Sequence, residues 1–203
     1  MRLRASAAIS TALFLCFSAP AQSDQVNVPA SAGFSIAIPG TWAERPDVES
    51  RVIARVKSSD PDGKLKTQAF AWGTSDNAEM VLVQTLATQE TLTTGTFRAN
   101  LKAFHDSFRS TTSGSSTTVW DVSDDGTIMT SRQEGDFQDN STVHLVSLNE
   151  AMVDSGRHVR AFTVTCYLSK PVSKNARSAC DSVLQSFKLT VDPHTLLPLE
   201  PST

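Results

Sequence analysis

Cysteine is scarce in this chain of 203 residues, and what is missing bounds its function more tightly than what is present. The three cysteines include no Cys-x-x-Cys pair, and none of the four histidines stands at a metal-ligand spacing from another histidine or from a cysteine. The apolar run Ala7 to Phe17 is well short of the roughly 20 residues that cross a bilayer as a helix. No long basic block, heptad array or fixed repeat occurs, and acidic residues outnumber basic ones, 21 to 18, which argues against a nucleic-acid binder. A Gly-x-Ser-x-Gly elbow and a glycine-rich phosphate cradle are both absent, so no motif names a reaction and no cofactor is expected.

What is there begins with an address. Arg2 and Arg4, the apolar run and the small-x-small triplet Ala19-Pro20-Ala21 have the form of a secretory signal over residues 1–21. Cys16 follows Leu15 rather than a small residue, which disfavours a lipidated cysteine. The expectation is a periplasmic or secreted protein, soluble after cleavage near Ala21. Removing Arg2 and Arg4 with no acidic residue takes the formal charge from −3 to −5. Residues 22–190 suit a single domain, large enough to bury its own core. Residues 191–203, with Pro193, Pro198 and Pro201, read as a loosely attached tail.

Periodicity predicts the elements. Phe34 to Ile38 alternates and stops at Pro39-Gly40, as a half-buried strand does before a turn. Val52, Ala54 and Val56 alternate with Arg51, Ile53, Arg55 and Lys57, which predicts a strand closing at Asp60-Pro61-Asp62-Gly63 and a hairpin partner over Thr67 to Trp72. Met80 to Ala87 is valine- and threonine-rich and reads as a strand, with Glu79 and the leucines leaving a helix as the alternative. Phe97, Leu101, Phe104 and Phe108 form an apolar stripe predicting a helix over Thr96 to Ser110. Four strands follow, Thr117 to Val122, Gly126 to Arg132, Thr142 to Leu148 and His158 to Leu168, and then a helix from Lys174 to Phe187. Short connections favour antiparallel pairing. The fold class is α+β, a mainly antiparallel sheet flanked by helices.

Four groups of residues invite a chemical reading. Cys166 shares an alternating face with Phe162, Val164 and Leu168, and Cys180 lies on the apolar stripe of the last helix, so both point into one layer. An exported protein can keep a disulfide there. It would close a loop of about 14 residues and contribute roughly 3 kcal/mol in the chain-entropy model. The alternative is a pair of buried, unlinked thiols. Asp121 to Gly126 matches the opening of a calcium loop, but Arg132 occupies the twelfth position, so an acidic hairpin turn is the simpler reading. His144 and His158 fall in neighbouring strands, but folding about Asp154-Ser155 sets His144 opposite roughly Thr165, so a shared metal is not expected. Arg98, Lys102, His105 and Arg109 form a basic stripe that could meet an anionic membrane surface or an acidic partner; the alternative is a solvated helix face with Asp106 nearby.

Gly33-Phe34-Ser35-Ile36, then Ile38-Pro39 and Trp42, together with Val183-Leu184-Gln185-Ser186-Phe187-Lys188-Leu189, resemble the opening strand and terminal helix of the PsbP-like superfamily, including the DcrB-like proteins of bacterial envelopes. The resemblance implies an α/β/α sandwich in which Phe34, Trp42 and Phe187 are packing residues. It implies roles in binding or assisting an envelope protein or membrane complex, and brings no catalytic motif. The expected function is a non-enzymatic periplasmic accessory or binding protein. Two other readings remain open: a secreted hydrolase with a scattered site, and a small-ligand or lipid carrier with a cleft lined by Trp72 or Trp120.

Overall fold

The computed structural model describes residues 23–26, 28–88, 99, 102, 106, 112–123, 127–137, 142–153 and 158–192. Its centre is a seven-stranded, wholly antiparallel sheet of β4 (Ala43–Glu44), β5 (Leu65–Gly73), β6 (Glu79–Thr88), β7 (Thr112–Val122), β8 (Ile128–Phe137), β9 (Val143–Val153) and β10 (Val159–Ser169). Their spatial order is β4-β5-β6-β10-β9-β8-β7. Short strands β1 (Ser23–Gln25) with β3 (Ala37–Pro39), and β2 (Phe34–Ser35) with β11 (Lys188–Leu189), make two further antiparallel pairs. The expected α+β class with a helix-flanked antiparallel sheet is what the chain adopts.

Among the described residues, two helices pack against the sheet, α1 (Pro46–Ser59) and α2 (Lys174–Ser186). Strand alternation gives each its own face. The first face presents Phe70 and Trp72 on β5, Val81 and Val83 on β6, Phe162, Val164, Cys166 and Leu168 on β10, and Val146 and Met152 on β9. Onto it fold Ala176, Cys180, Val183 and Leu184 of α2, with Phe34, Trp42 and Phe187 alongside. The rings of Phe34 and Phe187 lie 5.5 Å apart, and Phe34 meets Phe70 edge to face at the same distance. Truncating a buried phenylalanine of this kind costs about 3 to 5 kcal/mol. Val191, expected to head the tail, belongs to this core and is 3% exposed.

The segment around Val52 is a helix, not the predicted strand. Pro46 occupies its first turn with Asp47 and Glu49, and Lys57 its last, as the helix dipole favours. Val48, Val52, Ile53 and Val56 recur at helical spacing, so the apparent alternation of Val52, Ala54 and Val56 is incidental; Ala54 is exposed. The helix packs on the second face through Ala69, Ala71 and Leu82, two of them small enough to admit it closely. Its Glu49 also accepts a hydrogen bond from the Ala71 backbone N–H at 2.9 Å, covering part of the β5 edge that two-residue β4 leaves unpaired. The hairpin partner of β5 is therefore β6, with Phe70 opposite Val83.

The later half matches its predicted elements. β7 and β8 pair with Val122 opposite Met129, which puts Asp121 at the end of a hairpin; residues 124–126 of the acidic stretch lie outside the described residues. In the β9–β10 pair His144 stands opposite Leu168, three residues beyond the predicted partner Thr165. The reason is that Val153 pairs with Val159, so the connection is longer than the two-residue turn assumed. On the second face of β8, β9 and β10 the buried side chains Ser131, Gln133, Ser147, Asn149 and Thr165 are polar, with Ser147 and Thr165 hydroxyls 2.8 Å apart. The helix predicted over Thr96 to Ser110 lies outside the described residues except at Ala99, Lys102 and Asp106, all three helical.

Candidate functional site

On its first face β8 carries Arg132, Glu134 and Asp136 at alternate positions, beyond the edge of the apolar core. β9 adds His144 directly across from Asp136. α2 crosses above them because its N-terminus is fixed by Ser173, whose hydroxyl accepts the Ala176 N–H at 3.0 Å, and because its apolar stripe is seated on β10. The helix face toward β8 then presents Arg177 and, one turn later, Asp181.

These side chains form a ladder of alternating charge. Lys170 Nζ donates to Asp136 at 2.5 Å, and Asp136 in turn faces His144 Nδ1 at 2.7 Å. His144 Nε2 lies 3.0 Å from Glu134. Glu134 receives a two-pronged contact from Arg177 at 2.5 and 2.8 Å, Arg177 Nε reaches Asp181 at 3.2 Å, and Asp181 accepts from Arg132 at 2.8 Å. A carboxylate only accepts, so His144 makes both contacts as hydrogen bonds only with a proton on each ring nitrogen. The fork from Arg177, helped by His144, holds the Glu134 carboxyl at about 2, well below its ordinary value, against the opposing effect of partial burial. The same pairing raises Arg177 further. Lys170, then His144, lowers Asp136.

Along α2, with His144, Arg177 and Asp181 of the ladder in its lining, runs an open groove of about 650 Å³. Lys174, Ser178, Ser182 and Gln185 line it, all exposed and spaced so that they run down one side of α2. Lys174 has no ion pair among the described residues. Chemically the ladder clamps helix to sheet, while the polar stripe offers hydrogen-bonding groups and one cation to whatever enters the groove.

The residues singled out from sequence fall elsewhere. Cys166 and Cys180 do face each other between β10 and α2, both fully buried, but both are free thiols, so the expected bridge is not formed. The Cys166 thiol is directed at the Cys180 backbone carbonyl, 3.9 Å away. Contact with Cys180, and then burial, pushes its pKa well above the usual range, which makes it a poor nucleophile. Of the basic stripe, Lys102 is exposed and committed to Asp106 at 2.6 Å; Arg98, His105 and Arg109 lie outside the described residues. Trp72 is a core residue stacked on Phe70, and the Trp120 side chain lies outside the described residues.

Sequence reasoning passed over Glu134, Asp136, Arg177 and Asp181, which come from two elements whose contact between Glu134 and Arg177 spans 43 residues. The available signal was the alternation Arg132-x-Glu134-x-Asp136 on a strand whose other face is buried. Among the described residues no helix is long and apolar enough to cross a membrane, and no cluster of three acidic, histidine or cysteine side chains is suited to hold a metal ion. No family model matches the chain, and no curated protein does.

Proposed function

We propose that this chain is an exported, non-enzymatic binding or accessory protein of the cell envelope, of the PsbP-like type, and that it meets its partner along the α2 groove. The observation that carries this reading is the division of labour around α2. Every acid of the ladder, and both nitrogens of His144, are committed to a charged neighbour, which leaves them ill placed to act as base or nucleophile. The exposed stripe from Lys174 to Gln185 stands on a helix held rigidly from behind, as a recognition surface needs. The packing of Phe34, Trp42 and Phe187 in one core is what the PsbP-like resemblance requires of those residues.

A photoreactive amino acid at Ser178, activated in intact cells, tests the reading. The expected product is a discrete adduct with an envelope protein that weakens when Lys174→Glu is added. Absence of any adduct, together with turnover of ester or peptide substrates by the purified protein, would replace the accessory reading with the hydrolase one.

A further inference from the structure

At the other end of the same sheet face, Lys66, Ala87 and Arg160 stand in one row across β5, β6 and β10. The next row is Gln68, Thr85 and Phe162. Because the central residue of the first row is alanine, a hollow opens between the two cations, and a groove of about 340 Å³ is found there. Its lining includes Ser31, Thr67, Gln68 and Thr85 besides the two charges, and among the described residues no acidic side chain.

Arg160 is built into this groove. One nitrogen of its guanidinium, Nη2, donates to the backbone carbonyls of Ser31 at 2.9 Å and Ala32 at 3.3 Å. The group lies 5.3 Å from the centre of the Phe162 ring, near enough for a cation–π contact. Gly33 makes the seat possible: a Cβ there would stand 3.1 Å from Nη2 and 3.1 Å from Val191, and the backbone has φ +79°, which glycine tolerates best. No acidic group pairs with Arg160 among the described residues, and burial alone lowers its pKa. Lys66 likewise has no ion pair among them. The nearest acid along the second row, Glu150 on β9, sits beyond Phe162 and does not line the groove. A half-buried, oriented guanidinium whose Nε and Nη1 groups have no partner among the described residues is unusual, because desolvated charges are normally matched by an opposite one.

We propose that the Arg160–Lys66 groove is a binding site for a small molecule bearing a carboxylate or phosphate group. The oxyanion takes the free edge of Arg160 and the Lys66 ammonium, while Gln68 and Thr85 supply neutral hydrogen-bonding groups. The site is distinct from the α2 groove and does not depend on the accessory reading.

Calorimetric titration of the full protein with succinate and, separately, inorganic phosphate, at constant ionic strength, tests it and tells the two oxyanions apart. Saturable binding of at least one, with a dissociation constant below about 10 mM, is expected. Arg160→Met should weaken it about tenfold or more, and Lys66→Met severalfold. Lys66→Met lies at an exposed position, so it keeps the test open should Arg160→Met fold poorly. No saturable binding of either anion by the parent protein, or equal binding by both variants, would overturn the proposal.

Discussion

Two ends of one sheet face treat charge in opposite ways. Around Glu134 and Arg177, seven ionisable side chains from β8, β9, α2 and the segment preceding it are matched one against another. Around Arg160 and Lys66, two cations are placed by the fold and left unmatched among the described residues. The apolar core of Phe162, Val164 and Cys166 separates them. Matched charge is what a helix needs to be held in place, whereas unmatched charge costs stability unless something outside the fold completes it. The contrast teaches that a charged cluster is not by itself a functional site. The informative feature is an oriented charge without its counterpart.

The largest way to break this comparison is Arg177→Met. It strands the Glu134 carboxylate against a helix that no longer answers it, and should cost about 2 kcal/mol, lowering the thermal midpoint by roughly 4 to 8 °C. A loss no greater than that of an ordinary surface substitution would mean that the ladder does not hold α2.

Acid sharpens it next. In the unfolded chain Glu134 takes up its proton in the ordinary carboxylate range, near 4.5, but in the folded protein only at about 2. Its contribution to stability is therefore complete above about pH 5 and is lost as pH falls towards 2. Allowing for partial exposure of the pair, the loss is on the order of 1 to 2 kcal/mol. Denaturation midpoints across this window should fall more steeply for the parent than for Glu134→Gln.

Arg160→Met should be milder. The Ser31 and Ala32 carbonyls lose a donor, but an unpaired, partly desolvated charge goes with it, so the net change should stay within about 1 kcal/mol by urea denaturation. Glu150→Gln is the smallest and has the opposite sign. Burial raises this half-buried carboxyl, so its ionisation opposes folding at neutral pH. The amide should stabilise by about 0.5 kcal/mol at pH 7, with the gain shrinking as pH drops through the carboxylate range.

How much of this was legible in the sequence depends on how local the signal was. β10 and α2 were readable because Phe162, Val164, Cys166 and Leu168 alternate cleanly, and Ala176, Cys180 and Val183 recur at helical spacing. α1 was not, because valines at 52 and 56 with Ala54 between them satisfy a period of two as well as a helical face, and only the contact with Ala69 and Ala71 decides between them. The facing of Cys166 and Cys180 was readable, but not that the Cys166 thiol turns to a backbone carbonyl. The ladder was hidden by distance along the chain: Arg177 and Glu134 are 43 residues apart, and neither belongs to a motif. Arg160 was hidden differently. A lone arginine beside an apolar strand is ordinary, and its missing counterpart emerges only once Lys66, Ala87 and Gly33 are placed around it.

The arginine side-chain Nε–H resonances report on both ends at once. During a titration with succinate and with phosphate at fixed ionic strength, the account predicts that the Arg160 resonance moves saturably with at least one of them, while that of Arg177, already bonded to Asp181, stays where it was. Movement of Arg177 with Arg160 unchanged, or parallel movement of both, would contradict the distinction between a matched clamp and an unmatched site.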